Sequence, residues 1–421
     1  MNNQIKLAVA AALLAAASSA NAGISIPAGD WTLDIGGVVN AFYTSTRVSG
    51  NLANGTAPLG IAQPTSGKTA SSITTGLLPN YISFSGKTRQ NDLDVAFTIS
   101  MNPGGPTTGA LDQNPHQENR QAFLTFGDAS WGSVKLGKDI GVFASDAILN
   151  DMTLLGVGSN AGALSGASNT TTTGRIGTGY IYADWKEQIS YTTPNLNGFS
   201  ATVALTNAFN AAADGSVGGV ASTGRGGSEP AFEGKASYSW TGDVAGKVWV
   251  SGISQKVEGL TNAVGAKVTN PTSTSVLVVA AVPNTAQTSD RAQAADIGAN
   301  VNVAGLSLTG YYYSGSGIGQ TGQLHGGFDA TGHSRDSNGG YVQATYVLPT
   351  ATKIGASWGE SILDGNAGEF NQLKDEMWTI GAYHPLTKHL NLVAEYSDVK
   401  RKVDSVEGKS NTVSLGAILF F

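Results

Sequence analysis

From Asn411 to Phe421 the chain reads NTVSLGAILFF. Taken at every second residue, Val413, Leu415, Ala417, Leu419 and Phe421 are apolar, while Thr412, Ser414, Gly416, Ile418 and Phe420 are mixed. A period of two describes a strand with one apolar face. The pattern recurs along the chain. In WTLDIGGVVNAFY, Trp31, Leu33, Ile35, Val39 and Tyr43 oppose Thr32, Asp34, Gly36 and Asn40. LDVAFTISM sets Leu93, Val95, Phe97, Ile99 and Met101 against Asp94, Thr98 and Ser100, and FSATVALT, ADIGANVNVAG and HLNLVAEYS alternate in the same way. No long stripe of helical period accompanies them.

The opposite end has another character. MNNQIKLAVAAALLAAASSANA carries a lysine near its start, an apolar stretch from Leu7 to Ala17 and Ala20-Asn21-Ala22 before Gly23. That order predicts a secretory signal peptide over residues 1–22, cleaved after Ala22, with one folded domain over 23–421. The apolar stretch is shorter than the roughly 20 residues that a spanning helix needs. The chain has no cysteine, so an exported protein of this size must hold together without disulfides. With 24 Lys and Arg against 30 Asp and Glu it is mildly acidic, which argues against a nucleic-acid partner. Beyond residue 22 the longest apolar run is SVLVVAAV at 275–282, so any passage through a membrane must be made by strands.

The connections sort by length. Short links lie at TRQND, GDASWG, PNLNG, TGD, VAGL, LPTAT and HPLTK. Between them fall long segments rich in Gly, Ser, Thr and Asn, near 47–76, 102–117, 139–185, 210–229, 257–291, 316–338, 364–372 and 400–408. About sixteen strands result, an even number as in bacterial outer-membrane barrels. In hydrocarbon only a closed sheet leaves no unpaired backbone, so the apolar face is expected to meet lipid and the polar face a lumen. A soluble sandwich alternates too, with its apolar faces packed together. Export, the sorting of loops and aromatics near strand ends favour the barrel. Trp31, Tyr43, Trp131, Tyr191, Trp240, Trp358, Trp378 and Tyr383 are candidates for interfacial girdles. A final strand with nothing after Phe421 suits a ring closed by its last strand against its first.

The chain resembles the Gram-negative general porin family. NYISFSGKTRQNDLDVAF is similar to the second and third porin strands, and NRQAFLTFGDASWGSVKLGKD to the hairpin that leads into the third extracellular loop. EQISYTTPNLNGFSATVAL matches the pattern beyond that loop, with Gln188, Thr193 and Leu196 as departures. The resemblance implies a sixteen-stranded homotrimer in outer-membrane lipid, with the third loop folded into the lumen. It also implies that Phe421 and Leu419 form a signal to the barrel-assembly machinery.

In that family, basic wall residues face carboxylates on the third loop. The resemblance places Lys138 and Arg175 among the former and Asp151 among the latter. The wall arginine of the second strand is replaced by Tyr81, and a second loop carboxylate by Leu155. Parity sets Lys138 on the face of Val134 and Leu136, so it reaches the lumen only if Gly137 breaks the alternation. Lys135 is the lysine that parity itself turns inward. Asp34 and Glu395 lie on polar faces and are further candidates for the pore lining.

The implied function is passive diffusion of small hydrophilic solutes and ions. The alternatives are a substrate-selective channel, with eighteen strands if 275–282 pairs with a neighbour, or an outer-membrane enzyme or adhesin. Nothing in the sequence calls for catalysis, a cofactor or a metal. GIGQTG at 317–322 has no helix pattern behind it, LDGNAGEF lacks the spacing of a calcium loop, and the five histidines form no ligand cluster.

Overall fold

The computed structural model describes residues 23–50, 68–103, 117–160, 171–209, 229–258, 260, 267–269, 276–278, 289–329 and 331–421. The expected signal peptide and its cleavage site lie outside these residues. The described strands are β1 (Ile24–Ala28), β2 (Trp31–Gly50), β3 (Thr69–Thr74), β4 (Tyr81–Gln90), β5 (Leu93–Pro103), β6 (Gln117–Asp128), β7 (Gly132–Ile140), β8 (Trp185–Thr192), β9 (Phe199–Thr206) and β10 (Ala231–Trp240). They continue with β11 (Val244–Glu258), β12 (Lys267–Thr269), β13 (Val276–Val278), β14 (Ser289–Val303), β15 (Leu306–Ser316), β16 (Asp336–Val347), β17 (Lys353–Asp364), β18 (Gln372–Pro385), β19 (Leu390–Val403) and β20 (Val406–Phe420). A short helix, α1 (Ser145–Leu149), and a 3-10 turn (Met152–Leu155) lie between β7 and β8.

Each strand pairs antiparallel with its neighbour, and β20 returns to β2 from Val38↔Phe420 to Gly50↔Gly408. The sheet holds eighteen segments. β3 and β4 lie in series along β2, opposite Phe42–Arg47 and Thr32–Val38, and form one interrupted strand. β1 pairs with Trp31–Ile35 and continues the line of β20. Counting each of these two combinations once gives a closed ring of sixteen antiparallel strands. The eighteen-strand alternative does not hold. Val276–Val278, within the apolar run at 275–282, pair with Lys267–Thr269 in a separate two-stranded sheet.

Burial separates the barrel from the sandwich. On β2, Val39 and Tyr43 are 54% and 50% exposed, while Asn40, Thr44 and Thr46 between and beyond them are at most 5% exposed. Ile189, Val203, Phe232, Ile297, Val342 and Leu415 continue the exposed apolar belt on other strands. A soluble sandwich would hide these and wet the threonines; here the order is inverted, as a hydrocarbon surround demands.

The short links lie where expected, and their geometry explains their sequences. Asn91 and Asp92 have φ of 49° and 61°, and Ala304 and Gly305 have 46° and 85°. Two successive positive φ angles match the right-handed twist of a two-residue hairpin. One expected long loop is absent. The span 400–408 is almost wholly strand, with β19 running to Val403 and β20 starting at Val406. Its charges pair across the hairpin, as Lys400 does with Glu407 at 3.5 Å.

At the seam, Phe421 N–H donates to Gly37 O (3.1 Å) and Gly37 N–H to Phe421 O (2.8 Å). Glycine is required at 37, because a Cβ there would fall 2.7 Å from Phe421 Cζ and 2.4 Å from the Tyr81 carbonyl oxygen. Leu419 faces outward opposite Val39. Trp358 and Trp378 are directly paired on the outer face, and Trp378 packs on Tyr396 with ring centroids 5.2 Å apart. Trp31 packs on Phe97 at 5.7 Å. Tyr383 departs from the girdle expectation: it is 2% exposed and points inward to Glu395.

Candidate functional site

The chain between β7 and β8 lies against the inner faces of β10, β11 and β14–β19. Side chains from those strands receive its backbone. Glu233 of β10 accepts from Val142 N–H (2.7 Å) and Phe143 N–H (2.8 Å), and from Lys186 Nζ at 2.6 Å, with both members of that ion pair wholly buried. Glu395 of β19 accepts from Val157 N–H (2.7 Å), Gly158 N–H (2.8 Å) and Tyr383 Oη–H (2.6 Å). Tyr341 Oη–H donates to Ala147 O (2.8 Å), and Gln343 holds Asn150 O (2.9 Å) and Met152 N–H (2.7 Å). Buried backbone groups need such partners, so these strand residues fix the loop's path.

An apolar seam completes the contact. Phe143, Ile148, Leu154 and Ile181 pack against Trp249, Tyr311, Tyr313 and Tyr341 on the inward faces of β11, β15 and β16. Inward faces under the loop therefore carry large apolar and aromatic side chains beside the polar groups that hold its backbone.

A second loop folds inward, which the sequence analysis did not anticipate. Between β15 and β16, Thr321 O accepts from Tyr182 N–H (2.7 Å), and Gln323 Nε2 donates to Ala183 O (3.0 Å). Gln320 Nε2 donates to Ser361 O (2.8 Å). Ile318 and Phe328 are at most 1% exposed. Arg335, itself buried, binds Gly326 O (2.8 Å), Phe328 O (2.9 Å) and Glu369 (2.8 Å). The glycines of GIGQTG serve tight turns here, with φ of 71° at Gly317 and 77° at Gly319.

Opposite the packed sector, between the first loop and β4–β7, lies a cavity of about 750 Å³. Tyr81, Lys135 and Lys138 line it. Lys135 Nζ pairs with Asp139 and sits 4.7 Å from the Phe123 ring centroid, while Gln121 Nε2 donates to Asp139 at 3.0 Å. Gly137 has φ of 118°, a break in strand geometry open to glycine, immediately before Lys138.

Arg120 was missed. Its Nε donates to Glu118 (2.7 Å), and its guanidinium lies 5.9 Å from the Trp185 ring centroid. The pairing of β5 with β6 shifts register between Ser100 and Asn102, opposite this point, and a bulge re-aims a side chain. The lost alternation in QENRQAF is the signal that was available. Asp184, just ahead of β8, also lines the cavity. Burial raises its carboxyl above the usual range, against opposing effects of the Trp185 N–H and the charges of Lys186, Arg120 and Lys138.

Other expected residues lie elsewhere. Arg175 is fully buried and donates to Thr178 O (3.3 Å), Met377 O (3.2 Å) and Ser357 Oγ, so it ties the loop to β17 and β18. Asp151 is 2% exposed; it caps the 3-10 turn through Thr153 N–H (2.9 Å) and accepts from Tyr180 Oη–H (2.9 Å). Glu395 faces inward beneath the loop. Asp34 lies 3.7 Å from Lys87. Leu155 packs with the cluster that contains Val38 and Phe42. The cavity thus has charges of both signs on its strand wall and leucine, isoleucine and threonine on its loop side.

The family model for Gram-negative porins matches residues 8–404. The fold is similar to the anion-selective porin from Comamonas acidovorans (TM-score 0.59, 15% identity, covering 93% of this chain and 100% of that one). It is similar also to the outer membrane channel DcaP of Acinetobacter baumannii (TM-score 0.62, 16% identity, 95% and 100% covered). A third similar structure is OmpF of Salmonella typhi (TM-score 0.51, 14% identity, 93% and 100% covered). No curated protein matches the chain by sequence.

Proposed function

Because the chain belongs to the Gram-negative porin family and is a passive diffusion channel of the outer membrane, we propose that its solutes pass through the cavity between the β7–β8 loop and the β4–β7 wall. One observation carries this route: on the opposite side of the lumen the β7–β8 loop is bonded to buried carboxylates and packed on aromatics, and the β15–β16 loop is joined to it through Thr321 and Gln323. Lys135, Lys138 and Arg120, with Glu118, Asp139 and Asp184, then set the charge preference of the passage. Arg175 and Asp151 act through the loop they hold in place and not on the permeating ion.

Small hydrophilic solutes and ions are the cargo, and no cofactor takes part. The active unit is a homotrimer in outer-membrane lipid, exported by residues 1–22, and its C-terminal strand with Leu419 and Phe421 is the segment offered to the barrel-assembly machinery. Trp31, Tyr43, Trp358 and Tyr396 with Trp378 lie at the lipid surface. The family membership and the exposed apolar belt support this assignment.

The test is reconstitution of the purified protein in planar bilayers under a KCl gradient, with cross-linking in detergent. Ohmic steps in groups of three and a cross-linked trimer are expected. The route is overturned if a cysteine at Thr98, which lines the cavity and is partly exposed, is modified by a charged reagent without changing the current.

A further inference from the structure

The lining of the cavity is unusual for a passage that merely admits hydrophilic solutes. Leu78, Tyr81, Phe123, Leu149, Tyr182 and Trp185 all line it and are all partly exposed. Leu154 and Ile176 close the surface behind them. Water against such a surface is released when an apolar solute covers it, so the cavity favours solutes carrying hydrocarbon.

Its polar wall has a sign. Lys135 keeps 30% of its side chain exposed, and its ammonium has three donors, of which Asp139 takes one. Lys138 has no ion pair among the described residues. The acids are already engaged: the Asp139 side chain is 7% exposed and accepts from Gln121 and Lys135, and Glu118, 41% exposed at the outer end of β6, holds Arg120. Asp184 is partly buried near Lys186, Arg120 and Lys138.

We infer that this cavity is a binding site for small amphipathic carboxylates, whose ring or branched chain lies on the apolar side while the carboxylate meets Lys135 and Lys138. The inference rests on the channel function and on the proposed route, and refines both from unselective diffusion to a passage with a saturable step. A carboxylate without hydrocarbon, such as acetate, gains the lysines alone. An aromatic ammonium gains the apolar side and meets the wrong charge.

The test uses single-channel recording of the purified full chain in KCl with four probes: benzoate, acetate, benzylammonium and benzyl alcohol. Benzoate is expected to reduce the current saturably, with a half-blocking concentration at least about tenfold below those of acetate and benzylammonium. Lys138→Gln should raise the benzoate value, and Leu149→Ser should bring benzoate and acetate together. An ohmic KCl current in each variant shows that its barrel has assembled. Equal block by benzoate and acetate, equal block by benzoate and benzylammonium, or no change in either variant overturns the site while leaving the channel intact. Absence of any KCl current from the wild-type protein overturns the channel reading itself.

Discussion

The two sides of the barrel interior are built from the same alternating strands and end in opposite states. Along β10, β11 and β14–β19, inward side chains are consumed by the loops laid over them: Glu233, Glu395, Tyr341 and Gln343 each hold loop backbone. Along β4–β7, inward side chains border a cavity and pair with one another, as Lys135 does with Asp139 and Arg120 with Glu118. Strand pattern, interrupted at Gly137 and at the β5–β6 register shift, therefore sets which side chains face inward, and loop packing decides which of them meet water. A charge on the first side contributes to stability, and a charge on the second to permeation.

The largest effect should come from breaking the packed side. Lys186→Met leaves Glu233 without its buried cation, and loss of one partner of such a pair costs about 3–5 kcal/mol. Urea unfolding followed by the gel shift of the folded barrel should show a loss of this size; an unchanged midpoint would place Glu233 in contact with water. Glu395→Ala strips Val157 N–H, Gly158 N–H and Tyr383 Oη–H of their acceptor. A loss of roughly 2–3 kcal/mol is expected, since each unpaired buried donor costs on the order of 1–3 kcal/mol and part is recovered by water. The loop tip should then fluctuate, so current noise and proteolysis within residues 156–160 should both rise.

Asp151→Asn tests the division of roles directly. It weakens the cap on the 3-10 turn and the bond from Tyr180, a cost of about 1–2 kcal/mol. The reversal potential in a salt gradient should not move, and a shift towards anions would return Asp151 to the passage. Lys138→Gln should do the reverse. One unit charge at ~7 Å in water is worth about 0.6 kcal/mol, with opposite sign for cation and anion, so the cation-to-anion permeability ratio should rise about sevenfold with little change in stability. The smallest effect belongs to Lys87→Gln, whose partner Asp34 is 3.7 Å away in a largely exposed pair. Stability should change by less than about 0.5 kcal/mol.

The ring was readable because its rule is local. Period-two runs such as Leu93–Met101 and Val413–Phe421, with Asn91-Asp92 between strands, carry face and turn in a few residues. Residues 400–408 were misjudged as a loop because charge reads as loop, yet beyond the hydrocarbon a hairpin keeps pairing with charged side chains such as Lys400 and Glu407. The cavity was only half legible. Lys135 followed from parity, whereas Lys138 came from the resemblance, against parity, with Gly137 as the condition for its turning inward.

Arg175 and Asp151 were assigned by resemblance of short motifs, but their surroundings depend on Ser357, Met377 and Tyr180, which are remote or separately placed in sequence. Arg120 depends on a register shift whose only trace in the sequence is the lost alternation of QENRQAF, and whose direction is set by the partner strand. The inward path of residues 317–329 left no periodic trace, because its anchors are separate bonds at Gln320, Thr321 and Gln323.

The bond from Tyr182 N–H to Thr321 O joins the two inward loops at the edge of the cavity, where Tyr182 and Thr321 both stand. The bore is consequently a joint product of two segments far apart in the gene, and neither can be transplanted alone. A chimera that imports the first loop from a relative would need the matching second one to keep its aperture, so these stretches should be exchanged as a pair when channels of altered width are engineered.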